Sequence, residues 1–261
     1  MTRVLVAVIA VLGLTSCAVA PAEPDLPLPP AGATFDYQLG GAYDPPDGVT
    51  VIARDATAEP APGLYNICYV NGFQTQPGEG GHWLAEHPDL VLHRDGEPVV
   101  DPAWPDEYLL DTSTVPKRER IAALLGTVVA SCLTSGFDAV EIDNLDTYAR
   151  SEGALRLDDN LDLAARYAAV AHDLGMAIGQ KNGAGHSARA REEVGFDFAV
   201  TEDCARYEEC DDYTDVYGDL VFDIEYDPAS LEAACDAVGS AVLRDLRLVP
   251  AGSPGHVFET C

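Results

Sequence analysis

The feature that most constrains this 261-residue chain is a recurring short apolar run that stops abruptly at polar residues. The runs are Phe35–Leu39, Val49–Ile52 leading to Arg54-Asp55, Leu64–Val70 leading to Asn71, and Phe137–Ile142 leading to Asp143-Asn144. Met176–Gln180 then leads to Lys181-Asn182, Phe196–Thr201 to Glu202, and Leu220–Ile224 to Glu225-Tyr226, with Arg247–Pro250 a weak eighth. Each has the length and burial pattern of a strand covered on both faces. Helical spacing appears between several of them. Pro116 opens one pattern through Ile121, Leu125, Val128 and Cys132; Asp158/Asp159 stand at the start of a second, through Leu161 to Ala171. Ser230 opens a third, through Leu231, Ala234 and Val238. Strands alternating with helices imply parallel pairing, and eight of them make a closed (β/α)8 TIM barrel the economical fold. The links at 40–48, with Pro45-Pro46, and at 56–63 leave too little room for helices, so the first one or two helices are expected to be reduced. The long excursion from Asn71 to Pro116 carries both tryptophans, Trp83 and Trp104, and belongs on the active-site face, where aromatics can stack on sugar rings.

The first 33 residues read differently. Arg3, the apolar run Val4–Leu14 and Leu14-Thr15-Ser16-Cys17 form a lipoprotein signal (residues 1–16), with Cys17 as the lipidated residue. Residues 17–33 form a Pro/Ala-rich tether, and 34–261 a single domain. The chain is therefore expected to be exported, either anchored at the cell surface by lipid or secreted, with membrane contact only through that anchor. An oxidising compartment makes disulfides the natural use of the other six cysteines. Cys204 and Cys210 are close enough to bridge locally; Cys68/Cys132 and Cys235/Cys261 are one of the ways to pair the rest. The net charge of −29 excludes nucleic acid and other polyanions as partners and suits either a solubility role or a polycation.

In a barrel the strand ends converge on one rim. Asp55, Asn71, Asp143, Asn144, Asp146, Lys181, Asn182, Glu202, Glu225 and Tyr226 would meet there. There is no phosphate-cradling glycine loop and no nucleophile-elbow serine, and the six histidines lack metal-ligand spacing, so neither a metal nor a cofactor is expected. A carboxylate-rich rim with one lysine suits glycoside hydrolysis. Strand alternation puts Glu141 and Asp143 on one face, with Asp143 nearer the rim and Glu141 as a lining support.

The stretch FDAVEIDNLDTY (Phe137–Tyr148) resembles the fourth-strand motif of glycoside hydrolase family 114, the endo-α-1,4-polygalactosaminidases on a TIM barrel. Tyr37-Gln38-Leu39, Ile67-Cys68-Tyr69, Lys181-Asn182, Val200–Cys204 with Tyr207 and Cys210, and Glu225-Tyr226 match in order. The chain departs from the family pattern at Ile142, Thr201 and Asn71-Gly72-Phe73. The resemblance implies a retaining glycosidase acting on an α-1,4-linked, cationic galactosamine polymer. Asp143 would be nucleophile and Glu202 general acid/base; Gln38, Asp55, Asn144, Asp146, Lys181, Asn182 and Tyr226 would bind substrate. A monomer is expected, and the competing class is a cell-surface carbohydrate-binding barrel without catalysis.

Overall fold

The computed structural model describes residues 26–261. The signal segment, Cys17 and most of the tether lie outside them. Eight strands run in parallel in chain order: β1 (Phe35–Gln38), β2 (Val51–Asp55), β3 (Tyr65–Asn71), β4 (Ala139–Asp143), β5 (Ala177–Lys181), β6 (Phe198–Glu202), β7 (Val221–Glu225) and β8 (Ala241–Arg244). A ninth, β9 (Phe258–Thr260), pairs antiparallel with β8. The sheet is a nearly closed (β/α)8 barrel, as the strand–helix alternation implies.

Alternation along each strand sorts the core into two shells. Phe35, Tyr37, Val51, Ala53, Ile67, Ala139, Phe198, Val200, Phe222 and Ile224 fill the barrel interior. Val70, Val140, Ile142, Ile178, Ala199 and Val221 face outward against the helices. Among these, α1 (Val115–Ser135) buries Ile121, Ala122, Val129 and Cys132, and packs beside α2 (Leu157–Asp173). Pro116 stands in the first turn of α1 as expected, whereas Asp158 and Asp159 lie inside the first turn of α2 and form no side-chain cap. Disulfides join Cys68–Cys132, Cys204–Cys210 and Cys235–Cys261. The first ties β3 to α1 across 64 residues and is worth about 4 kcal/mol in denatured-state entropy; the second closes a short loop worth about 2.

No helix follows β1 or β2. A polar network takes their place on the outer face of these strands. Arg54 Nε donates to Gln38 Oε1 (3.0 Å), and its other nitrogens donate to the carbonyls of Glu59 and Tyr43 (both 2.7 Å). Gln38 Nε2 donates to Asp36 Oδ2 (2.7 Å), and the Tyr43 hydroxyl to Asp36 Oδ1 (3.0 Å). The same Asp36 oxygen accepts from Arg244 of β8 at 2.9 Å, an ion pair with both side chains fully buried. Arg244 also donates to the Tyr37 carbonyl. It thereby links β8 to β1 across the seam where no ladder is made.

Two expectations change here. The eighth strand is Ala241–Arg244, not Arg247–Pro250: Gly239 at φ 70° ends the preceding helix abruptly and the chain enters the sheet at once. Residues 26–33 are not free tether either. Ala33 packs into the barrel cluster, Pro29 is buried, and the Pro27 carbonyl accepts from the Tyr65 hydroxyl. The packed unit thus begins before residue 34. No helix among the described residues is long and apolar enough to cross a membrane.

Candidate active site

Three consecutive barrel strands end with the same bend. Asn144, Asn182 and Asp203, directly after β4, β5 and β6, have φ of 70°, 53° and 56°. Asn and Asp tolerate this left-handed conformation better than other non-glycine residues because their short side chains bond locally. Asp143, Lys181 and Glu202 are each the last strand residue before such a bend and face inward by alternation. The three side chains therefore meet above the apolar plug of the barrel.

Lys181 is at the centre and almost wholly buried. Its ammonium lies 2.9 Å from Glu202 Oε2, 3.5 Å from Asp143 Oδ2 and 3.9 Å from Glu141 Oε1. Burial on its own would lower the lysine, but the three carboxylates outweigh it and hold the ammonium charged well above its ordinary range. One ammonium thus bridges the two carboxylates of Asp143 and Glu202.

Each acid has its own set of donors. Asp143 Oδ2 accepts from the Tyr69 hydroxyl (2.8 Å), and Oδ1 from the Asn144 amide (2.7 Å). Glu202 is held from both sides: Asn182 Nδ2 donates to Oε2 (2.9 Å), and Tyr226 OH donates to Oε1 (2.5 Å). Asn182 Oδ1 accepts the Glu202 amide at 2.9 Å, so this carboxamide aligns both ends of the residue. Burial pushes the Glu202 carboxyl up, yet Lys181, Tyr226 and Asn182 together hold it down, at about 2. Glu202 is thus an anion in the free protein. Below the pair, Glu141 is fully buried; Tyr37 OH donates to its Oε1 (2.6 Å) and its Oε2 has no partner. Burial dominates here and raises Glu141 to about 8, against the opposing pull of Lys181 and Tyr37.

A cleft of about 410 Å³ opens over this cluster. Asp55, Asn144, Asp146, Lys181, Asn182 and Tyr226 line it with Asp143 and Glu202. Asp55 accepts from Thr57 Oγ1 and Gln76 Nε2. Asn144 Nδ2 donates to Asn71 Oδ1 (2.9 Å), whose own Nδ2 donates to Glu107 (2.8 Å). Asp146 accepts from Arg150 Nη1 at 2.6 Å. Gln38 is corrected: its neighbour Tyr37 takes the inward position, and Gln38 belongs to the outer network with Arg54. Glu225 likewise faces away from the cleft, because it has the same parity as outward-facing Val221. The two tryptophans part company, with Trp83 buried and Trp104 52% exposed on the cleft wall.

Tyr69, Arg150 and Glu107 were not singled out from the sequence. Tyr69 shares the inward parity of Ile67 and sits on β3 beside β4, a signal that alternation could have supplied. Arg150 lies four residues after Asp146 and also pairs with Asp101 at 2.8 Å, joining the excursion to the β4 loop. No sequence signal joins those two segments.

A parallel barrel with two acids and a shared lysine at the C-terminal ends of its strands has the architecture of a barrel glycosidase. The chain belongs to glycoside-hydrolase family GH114, whose family model matches residues 16–261. Among solved structures, Ega3 of Aspergillus fumigatus in complex with galactosamine superposes with a TM-score of 0.72 at 23% identity, over 92% of this chain and all (100%) of that one. The glycoside hydrolase domain of PelA from Pseudomonas aeruginosa gives 0.55 at 12% identity, over 87% and 99%. At these identities the likeness is one of fold. No curated protein matches the sequence.

Proposed function

We propose that this glycoside hydrolase cleaves α-1,4-linked galactosamine-containing polysaccharide internally and with retention of configuration. The observation that carries the mechanism is the single ammonium of Lys181 bridging Asp143 and Glu202, which supports the short acid separation of a retaining pair. Asp143 attacks the anomeric carbon. Tyr69 and the Asn144 amide aim its carboxylate. Glu202 protonates the departing glycosidic oxygen, then takes a proton from the water that releases the glycosyl-enzyme. Since the free protein holds Glu202 charged, its acid role requires that it take up a proton when sugar binds.

The substrate class rests on charge. Asp55, Asp101, Glu107 and Asp146 line the cleft beside the two acids, a setting that favours a sugar carrying free amines. The galactosamine bound to Ega3 agrees with this reading. The leader and Cys17 suggest an exported protein, acting as a monomer at the cell surface or after release.

Digestion of partly deacetylated galactosaminogalactan, followed by time-resolved mass spectrometry, tests the proposal. Oligosaccharides of mixed length should appear early, and Asp143→Asn and Glu202→Gln should each abolish them while leaving the fold intact. Near-wild-type release by either variant would remove that residue from the pair.

A further inference from the structure

Behind Glu202, between the barrel wall and the helix layer, lie two carboxyl groups that take no part in the chemistry above. Asp223 and Glu225 alternate on the outer face of β7, and both are fully buried. Each commits one oxygen to the loop that leaves β6. Asp223 Oδ1 accepts from Thr201 Oγ1 (2.6 Å) and the Cys204 amide (3.3 Å), and Glu225 Oε1 from the amides of Ala205 (2.8 Å) and Arg206 (3.4 Å). The other oxygens, Asp223 Oδ2 and Glu225 Oε2, are buried without a partner. The two carboxyls approach within 4.8 Å of each other and of Cys204 Sγ. That sulfur is in a disulfide with Cys210, so it offers no thiolate and the group lacks the donors of a metal site.

We propose that Asp223 and Glu225 share one proton, and that this proton fastens the Thr201–Arg206 loop to β7 and thereby positions Glu202. Both act through Glu202, which ends β6 between those anchors, so they are positioning residues and the idea rests on Glu202 belonging to the catalytic pair. Two carboxylates this close in a dry layer are costly to hold both charged, and one proton on the pair removes the repulsion. Burial is the chief cause that raises both carboxyls, in keeping with a proton held by the pair. Among the described residues, the surroundings supply no compensating cation. On the loop, Arg206 is occupied by Asp203 at 3.2 Å, and Asp203 itself accepts the Tyr226 amide at 3.1 Å. The helix Cys210–Tyr217 contributes the buried Tyr213 hydroxyl, with Glu209 at its start, and exposes Asp211 and Asp212. The helix Leu231–Val238 buries Ala234 and turns Glu232 and Asp236 to solvent, while β8 places Ala241 opposite Asp223. Loss of the shared proton at alkaline pH leaves two like charges pulling against the same four loop donors.

The test is amide hydrogen exchange of residues 203–209 in the full protein between pH 6 and 9, corrected for the chemical exchange rate. It is run for wild type, Asp223→Asn and Glu225→Gln, with thermal melts as the check on folding. In the wild type, protection of this loop should fall at least tenfold with rising pH while the rest of the barrel stays protected. Asp223→Asn keeps the shape and replaces the proton by an amide hydrogen, so its loop protection should be flat over the same range. Glu225→Gln should behave likewise, and it decides the matter if the first variant does not fold. Wild-type protection independent of pH, or variants that lose protection in step with wild type, would overturn the proposal. Because exchange needs no substrate, failure of the polysaccharide assignment would leave this readout untouched.

Discussion

Glu141 gives the sharpest test of the electrostatics under the proposed catalytic pair. A carboxyl raised from its ordinary value to about 8 binds its proton more tightly in the folded protein than in the unfolded chain. Its contribution to folded stability is therefore fully present at low pH, and is lost progressively between the unfolded value near 4.5 and about 8. The slope is about 1.4 kcal/mol per pH unit, so from pH 5 to 8 the loss is on the order of 4 kcal/mol. Glu141→Gln imitates the protonated form. Its carbonyl oxygen still accepts from Tyr37, and its NH2 group stands where the partnerless Oε2 lies in the wild type. Denaturant unfolding of both proteins at pH 5, 6, 7 and 8 reads the difference, and groups that titrate alike in both cancel. The difference in unfolding free energy should move by roughly 4 kcal/mol in favour of the variant as pH rises. A difference that is constant within about 1 kcal/mol across the series would refute a protonated Glu141 at neutral pH.

Further outcomes follow from the same geometry. Lys181→Met leaves Asp143 and Glu202 without their common cation, and at pH 7 should cost about 3–5 kcal/mol in unfolding experiments. Acidification towards pH 4 should restore much of that loss as the carboxyls take up protons. Gly179→Ala places a Cβ 2.4 Å from the Phe198 ring inside the barrel and should destabilise by about 1–3 kcal/mol through overpacking, read as a lowered midpoint of denaturation. Trp104→Ala removes the exposed ring on the cleft wall and should raise KM for polymer roughly threefold to tenfold with little change in kcat, the worth of about one aromatic contact.

The parts legible in the sequence were those set by local pattern. Strand ends marked by acids and amides at 143–144, 181–182 and 202 needed only period-two alternation and the position at which each apolar run stops. The missing early helices were visible in the prolines and short links. What escaped notice depends on contacts far apart in the chain. Ala241–Arg244 was passed over because a buried arginine reads as a surface residue until Asp36, 208 residues away, supplies its partner. Gln38 was misplaced by the resemblance at Tyr37-Gln38-Leu39: alternation turns Tyr37 inward and leaves Gln38 on the polar outer face of β1, where no helix covers it. Glu225 was misread because it ends its apolar run at the rim, while its parity with Val221 turns it to the helix side. Tyr69 was hidden within an apolar run, where a tyrosine reads as core until its hydroxyl is seen to meet Asp143.

The most direct test of the account is proton NMR of the anomeric signals during digestion of the galactosamine polymer by the wild-type protein. Retention through Asp143 and Glu202 predicts that new reducing ends appear first as the α anomer and only later equilibrate. First appearance of the β anomer, or no new reducing ends at all, would contradict it.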